Sequence, residues 1–112
     1  MKKIEAIIKP FKLSSVKEAL HEIGLSGITV LEVRGFGRQR GQDGLIKDQD
    51  NADEFIDKVK IEIIVEDEIS KKAVKVIQKA AYSGKIGDGK IFISNIDQVI
   101  RIRTGEKDKD AL

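Results

Sequence analysis

The feature of this sequence that most restricts its fold is an approximate internal repeat. Residues 3–8, KIEAII, are echoed at 60–65 by KIEIIV, and apolar residues at helical spacing follow each segment. A further apolar segment typical of a strand comes after each helical pattern, at 28–33 and at 90–94. The order β-α-β, a long insertion and again β-α-β predicts an α+β fold, a ferredoxin-like double βαβ sandwich, in one domain spanning residues 1–112.

Local signals suggest where the two predicted helices begin and end. Ser15 and Glu18 have the spacing of a capping box at the start of the first helix, and Gly24 lies beyond its end. The second helix is expected to begin near Glu68 and to end at Gly84, which would serve as its C-terminal cap.

The predicted strands carry apolar residues on both faces of the sheet. Ile63 and Ile64 point to opposite faces, as do Ile7 and Ile8, because successive strand residues alternate. Two helices cover only one face of a four-stranded sheet, and in monomers the other face of an antiparallel sheet is usually polar and exposed to water. An uncovered apolar face indicates a subunit interface, so we expect a homo-oligomer.

The insertion between the two halves is rich in charge and poor in apolar residues. It runs from residue 37 to about residue 55, which exceeds the usual limit of about 12–15 residues for a loop without structure of its own. It is either a solvated excursion or a recognition arm that orders on a ligand or partner, and composition alone favours neither.

A glycine-rich segment, SGKIGDGKI, occupies residues 83–91 and contains G-x-x-x-x-G-K. Two features exclude a Walker A P-loop: Ile91 replaces the Ser or Thr that reaches Mg²⁺, and the predicted helix precedes the loop instead of following it. Residues 87–90, GDGK, could still wrap an anion with backbone N–H groups, although such a turn is also common as plain structural punctuation.

Two arginines near the C-terminus suggest a second part of an anion site. A short fifth strand is predicted at 99–103, where alternation would place Arg101 and Arg103 on one face, about 7 Å apart. Two guanidinium groups at this spacing, together with Lys90, suit a polyphosphate. Either arginine alone could instead be a charge that protects an edge strand.

Composition excludes several classes of protein. The 112 residues contain no cysteine, so a disulfide framework or a thiolate metal site is excluded. A net charge of +2 and an aromatic content of 4% argue against direct nucleic-acid binding. No apolar run approaches the length of a membrane span or a signal peptide, and we therefore expect a soluble cytoplasmic protein.

Four stretches resemble the PII signal-transduction proteins of nitrogen control, and together the resemblance covers essentially the whole chain. They are KKIEAIIKPFKL at 2–13, VRGFGRQRG at 33–41, KVKIEIIV at 58–65 and SGKIGDGKIFISNIDQVIRIRTGE at 83–106. The resemblance implies a signalling protein, not an enzyme, that assembles as a homotrimer with nucleotide sites in the clefts between subunits. It also implies a T-loop at about 37–55 that engages partners, and a flexible C-terminal tail at about 105–112.

The ligands implied by the resemblance are ATP or ADP, Mg²⁺ and 2-oxoglutarate. The implied nucleotide-binding residues are Thr29, Gly35, Phe36, Gly37, Arg38, Ile64, Gly87, Asp88, Gly89, Lys90, Arg101 and Arg103. The implied 2-oxoglutarate-binding residues are Gln39, Arg40, Gly41, Lys58 and Gly87, and Gln39 would also coordinate the Mg²⁺ carried by ATP. The implied protein targets are an ammonium channel, glutamine synthetase or its regulators, and other nitrogen-metabolism proteins, with a membrane reached only through a partner channel.

The chain departs from the family pattern inside the predicted T-loop. Asn51 stands where many bacterial members have a uridylylated tyrosine, and Gln49 where cyanobacterial members have a phosphorylated serine. Lys47 replaces an arginine with which some members plug the ammonium channel, which keeps the charge but loses the planar fork. The usual covalent modifications are therefore not expected, and the partner and the direction of regulation are left open.

Two alternative functions also stay open at this point. One is a relative that keeps the nucleotide site but answers a different effector and partner. The other is a slow ATPase, for which Asp88 and Glu62 are the general bases that stand out.

Overall fold

The computed structural model describes residues 1–36 and 55–112. Within these residues, four strands form one antiparallel sheet in the order β2-β3-β1-β4, and two α-helices are present. The elements in chain order are β1 (Lys2–Ile8), α1 (Leu13–Glu22), β2 (Thr29–Gly35), β3 (Ile56–Val65), α2 (Asp67–Ala81) and β4 (Lys90–Asn95). This order and topology confirm the predicted α+β double βαβ fold.

The hydrophobic core lies between one face of the sheet and the two helices. Alternate residues of β1, namely Ile4, Ala6 and Ile8, are buried, and so are the β3 residues on the same face. The helices contribute their apolar stripes, which include Val16, Leu20, Ala73 and Ile77. Fully burying a side chain of this size stabilises the fold by roughly 1.5–3 kcal/mol, so the core fixes the register of the central strands.

The opposite face of β1 and β3 is less apolar than the sequence predicts. Ile7 and Ile64 lie there half-buried, as expected, but between them Lys3, Glu5, Lys60 and Glu62 form a charge cluster. Lys3 lies 3.5 Å from Glu5 and 3.6 Å from Glu62, and Lys60 lies 3.5 Å from both carboxylates. The cluster holds equal numbers of positive and negative charges, so this face is mixed in character.

The predicted capping box at the start of α1 is wrong. The helix begins at Leu13 with Lys12 as its capping residue, no side chain caps it, and Ser15 lies inside its first turn. The cause is the preceding 3-10 turn, Pro10–Lys12, in which the fixed φ of proline starts the helical path early. The predicted end is confirmed: Gly24 has a φ of 90° and its N–H donates to the carbonyl of His21 at 2.9 Å.

The predicted cap of α2 is also misplaced. The helix ends at Ala81, Tyr82 is extended (φ −69°, ψ 129°), and Gly84 lies two residues further on with a φ of 83°. The carboxylate of Asp88 accepts hydrogen bonds from the N–H groups of Ser83 and Gly84 at 2.8 and 2.9 Å. A contact from the following loop therefore satisfies these N–H groups just beyond the helix.

The predicted fifth strand is wrong. Ile100 makes an isolated antiparallel bridge with Lys107, and residues 102–104 form a turn, so strand alternation does not place Arg101 and Arg103 on one face. The turn closes because the N–H of Arg101 donates to Glu106 O, and the N–H of Gly105 donates to Arg101 O, both at 2.8 Å. We call residues 99–108 the C-terminal turn. Among the described residues, neither α-helix is long and apolar enough to cross a membrane.

Candidate functional site

A cavity of about 630 Å³ lies at the end of the sheet where β1 and β2 end and β3 and β4 begin. The strands contribute Ile7, Gly35, Ile56, Lys58, Lys90 and Phe92, the residue after β2 contributes Phe36, and the loop before β4 contributes residues 85–89. The floor is apolar, and the charged side chains of Lys58, Lys85 and Lys90 line the cavity. An anionic ligand with an apolar part fits this combination.

The loop at 84–89 is pressed against the end of β1. Gly87 and Gly89 have φ values of 103° and 96°, which favour glycine. A Cβ added at Gly89 would lie 1.7 Å from the carbonyl oxygen of Ile7, so close that only glycine fits. The glycines therefore bring the loop backbone close to the sheet and to the cavity. The helix before this loop and the strand after it confirm that it is not a Walker A motif.

Asp88 points its carboxylate at donors of the protein itself. Besides the N–H groups of Ser83 and Gly84, it accepts a hydrogen bond from the Ser83 hydroxyl at 2.5 Å and lies 3.3 Å from the Lys9 ammonium group. The Ser83 hydroxyl above all, with the two N–H groups and Lys9, holds the pKa of Asp88 well below its usual value. Such a weakened base is poorly suited to accept a proton, which argues against its predicted alternative role as a general base.

Lys58 enters the cavity from β3. Its ammonium group donates a hydrogen bond to the carbonyl oxygen of Gly87 at 2.5 Å, and its side chain is buried. Burial, and then the positive charge of Lys9, lowers the pKa of Lys58, whereas Asp88 acts in the opposite direction. The structure thus brings together Lys58 and Gly87, two of the residues predicted to bind 2-oxoglutarate.

The predicted nucleotide-binding residues that lie in the described part of the chain divide into two groups within one subunit. Those that line the cavity are Gly35, Phe36, Gly87, Asp88, Gly89 and Lys90. Thr29, Ile64, Arg101 and Arg103 are not among the described residues that line it. Thr29 lies at the opposite end of β2 from Gly35, about 20 Å away at the usual rise per strand residue.

Arg101 already has anionic and polar partners in its own subunit. Its guanidinium group lies 3.3 Å from the carboxylate of Glu106 and donates to the carbonyl of Leu112, also at 3.3 Å. Residues 105–112, predicted to be a flexible tail, thus contact Arg101 and include a short 3-10 helix, Asp108–Ala111. Their flexibility stays a prediction.

Several predicted residues lie outside the described part of the chain. These are Gly37, Arg38, Gln39, Arg40 and Gly41, together with the T-loop positions Lys47, Gln49 and Asn51. Phe36 and Phe55, the described residues on either side of this segment, contact each other with ring centroids 5.6 Å apart and an interplanar angle of 56°. This aromatic contact holds together the two described residues that flank the segment.

The described residues offer no cluster of carboxylate and imidazole groups that could hold a metal by itself. The charged side chains that line the cavity are mostly lysines. The described lining thus supplies charge for an anion, and Gln39, the predicted Mg²⁺ ligand, lies outside the described residues.

Sequence reasoning missed Lys9, Ser83 and Phe55. Phe55 and Phe36 flank the insertion symmetrically, which is a signal that the sequence does carry. Lys9 and Ser83 give no such signal. Their roles depend on how the loop folds back onto the end of β1, which only the three-dimensional structure shows.

Fold and site define a class: a small α+β domain in which a glycine loop, the buried Lys58 and two exposed lysines line a cavity beside a long insertion. Residues 1–106 match the sequence model of the family described as "Nitrogen regulatory protein P-II". The chain belongs to this family, which confirms the resemblance found in its sequence.

Individual relatives agree over the full length. The chain is 59% identical to the nitrogen regulatory protein P-II of Rhodospirillum rubrum and 57% identical to that of Azospirillum brasilense, each over 100% of both chains. A crystal structure of Arabidopsis thaliana PII bound to citrate is similar, with a TM-score of 0.84 and 40% identity over 99% of this chain and 91% of that one. By these matches the chain is a nitrogen-regulatory signal transducer and not an enzyme.

Proposed function

We propose that the chain senses ATP or ADP and 2-oxoglutarate, and passes the result to nitrogen-metabolism proteins through its T-loop. The observation that carries the proposal is the meeting of Lys58, Gly87 and Lys90 in one cavity next to the ends of the T-loop segment. A ligand in this cavity contacts Gly35, Phe36 and Ile56, which lie next to the two ends of this segment in the sequence.

The nucleotide phosphates are proposed to bind the loop backbone at 87–89 and the ammonium group of Lys90. Arg101 and Arg103 are proposed to reach the phosphates in the cavity of an adjacent subunit. The C-terminal turn supports this assignment, because its tip residue Ile102 is 99% exposed and the turn therefore projects from its own subunit. Thr29 and Ile64 are proposed to contact the adenine, and Gly35, Phe36, Gly37 and Arg38 complete the proposed site.

2-Oxoglutarate is proposed to bind with its distal carboxylate on Lys58. The ammonium group of Lys58 is buried and donates to the Gly87 carbonyl, and a carboxylate of the ligand would compensate its charge. The oxo acid end of the ligand is proposed to bind the Mg²⁺ that Gln39 and ATP hold, with Arg40, Gly41 and Gly87 completing this part of the site. Magnesium supplies a hard centre for these oxygen ligands when it is bound.

A homotrimer is proposed from the mixed face of the sheet and from the divided site. The charge cluster is balanced within each subunit, so burying this face between subunits leaves no net charge uncompensated. Ile7, Ile64 and the exposed Phe92 supply apolar area around it. The residues that one subunit does not bring to its own cavity would come from a neighbour.

The protein targets proposed are an ammonium channel, glutamine synthetase or its regulators, and other nitrogen-metabolism proteins. The shared name of the relatives supports nitrogen regulation in general. Since Asn51 and Gln49 replace the modified tyrosine and serine, we propose control by ligands and not by uridylylation or phosphorylation.

One competing proposal keeps the nucleotide site but assigns a different effector and partner. The citrate bound to Arabidopsis PII supports it, because citrate is another polycarboxylate.

The experiment that tests the proposed function is a pair of calorimetric titrations with 2-oxoglutarate, one in Mg-ATP and one in Mg-ADP. Binding is expected in Mg-ATP and barely in Mg-ADP, because the γ-phosphate helps to place the shared metal. By reciprocity, 2-oxoglutarate tightens ATP binding by the same factor, typically about 5- to 150-fold. Equal affinities would contradict the shared metal. Citrate binding without any 2-oxoglutarate binding would favour the competing proposal.

A further inference from the structure

The loop at 84–89 requires support from outside itself. Gly84, Gly87 and Gly89 all have positive φ values in the folded loop. Because glycine has no Cβ, these three residues also give the backbone wide conformational freedom in the unfolded chain. Backbone N–H groups bind an anion well only when they already point at it, because ordering them on binding reduces affinity. Some contact must therefore hold the loop in place before a ligand arrives.

The contacts that hold it converge on Asp88. Its carboxylate accepts from the Ser83 hydroxyl and from the N–H groups of Ser83 and Gly84, and it pairs with Lys9. Lys9 also donates to the Ser83 hydroxyl at 3.0 Å, which closes a triangle that we call the Asp88 clamp: Lys9, Ser83 and Asp88. The side chains of Lys9 and Asp88 are only 11% and 24% exposed. The clamp joins the end of β1, the segment after α2 and the centre of the loop.

The chemistry of the clamp does not suit a contact between Asp88 and phosphate. A carboxylate repels a phosphate group. Every described contact of the Asp88 carboxylate is with a hydrogen-bond donor or cation of the protein. Asp88 and its loop neighbours nevertheless line the cavity, and Lys58 donates a hydrogen bond to the Gly87 carbonyl. The loop is thus fixed at adjacent residues, by a side chain at Asp88 and by a carbonyl at Gly87.

We propose that the side chain of Asp88 is a positioning group for the anion site, which acts with Ser83 and Lys9 and does not itself touch the ligand. It orients the backbone donors at 87–89 and Lys90 toward the cavity, and it neutralises Lys9. This inference deepens the proposed function, since it takes the nucleotide phosphates as the anion.

The first test measures ATP binding calorimetrically, with Mg²⁺ and again in EDTA. Asp88→Ala and Ser83→Ala are expected to weaken ATP binding by about ten- to a hundredfold, which is the effect of losing charge-assisted hydrogen bonds. The factor should be the same in both buffers. Ser83→Thr keeps the hydroxyl and should restore near wild-type affinity. Ser15→Ala, at an exposed position of α1, is the matched control and should bind like the wild type.

Other results would overturn the proposal in distinct ways. A loss confined to the Mg²⁺ buffer would make Asp88 a metal ligand. Tighter ATP binding by Asp88→Ala would show that its charge merely repels the nucleotide. Equal loss in Ser83→Ala and Ser83→Thr would remove the role of the hydroxyl.

A second test needs no nucleotide and separates the clamp from the proposed function. Amide hydrogen exchange of the ligand-free protein should be faster at Ser83 and Gly84 in Asp88→Ala than in the wild type, and unchanged in Ser15→Ala. Wild-type exchange rates in Asp88→Ala would overturn the clamp whatever ATP does. Fast exchange in this variant, combined with a wild type that binds no ATP, would support the clamp and contradict the proposed nucleotide instead.

Discussion

At the scale of single residues, the environment of a side chain decides which of its possible roles it can perform. Asp88 and Lys58 both line the cavity, yet hydrogen bonds from the protein stabilise the charge of Asp88, whereas burial disfavours the charge of Lys58. An anion with satisfied partners is a structural anchor. A negatively charged ligand would compensate the charge of the buried Lys58 ammonium group.

The anchoring role of Asp88 predicts a dependence of stability on pH. Because the folded state lowers the pKa of this carboxyl below its usual 3.8, its stabilising effect is present above that value and is lost as the pH falls below it. Urea unfolding should therefore show Asp88→Asn to be less stable than the wild type near neutral pH, with the difference shrinking below about pH 4. A difference that is constant down to acid pH would contradict this account, and Ser15→Ala should follow the wild type throughout.

The role proposed for Lys58 predicts that binding and stability separate. Lys58→Met keeps the apolar stem of the side chain and removes a buried charge, so the free energy of unfolding should change by no more than about 1 kcal/mol. 2-Oxoglutarate binding in Mg-ATP should fall at least about tenfold, because its distal carboxylate loses a charged partner. Lys71→Met, on an exposed position of α2, removes the same charge and should leave binding unchanged. Normal 2-oxoglutarate affinity in Lys58→Met would contradict the assignment.

At the scale of elements, the sequence predicts what alternation and helical spacing determine and misses what distant contacts determine. The strands and helices lie where periodicity places them, because each must bury one apolar face. Ser15 has the right spacing for a cap, but Pro10 has already started the helical path before it. Gly84 does not cap α2, and the Asp88 carboxylate binds the N–H groups that follow this helix.

The site shows the same limit at the C-terminal turn. The residue types at Arg101 and Arg103 indicate an anion site. Their strand-like alternation is overridden because the Arg101 backbone donates to Glu106 and accepts from Gly105. Local sequence also does not reveal that Lys9 lies beside Asp88, 79 positions further along the chain (88 − 9). The sequence shows which residue types can bind an anion, but it does not show the contacts that position these residues.

The C-terminal turn predicts opposite effects for two of its residues. Arg103→Ala should weaken ATP binding by about ten- to a hundredfold, because one charge-assisted contact to phosphate is lost. Glu106→Gln should instead strengthen ATP binding a few-fold, because Arg101 no longer has to break its ion pair with Glu106 before it binds phosphate. A few-fold change is the scale expected for an exposed ion pair. Both effects can be measured by calorimetry. Unchanged affinity in Arg103→Ala, or weaker binding in Glu106→Gln, would contradict the phosphate assignment.

At the scale of the whole molecule, the site and the mixed sheet face favour the same assembly. Thr29 and Gly35 lie at opposite ends of β2, and the C-terminal turn projects outward, so one subunit does not gather all of its proposed nucleotide contacts. If subunits pack through the mixed face of the sheet, each cavity can receive residues of a neighbouring subunit. The charge cluster would then lie between subunits, where its balance matters far more than on a solvated surface.

The charge cluster therefore predicts how the assembly responds to a single lost charge. In the sheet, Glu5 and Glu62 lie directly opposite each other, and Lys3 and Lys60 each contact both. Lys60→Met leaves two carboxylates with one lysine, which is strongly unfavourable if the face is covered and nearly neutral if it faces water. Sedimentation at several protein concentrations should show a trimeric wild type, and a Lys60→Met variant that dissociates at concentrations where the wild type does not.

Lys71→Met should behave like the wild type, and Glu5→Gln added to Lys60→Met should restore assembly because the remaining charges again balance. A monomeric wild type, or a Lys60→Met trimer as stable as the wild type, would contradict burial of this face in a homotrimer.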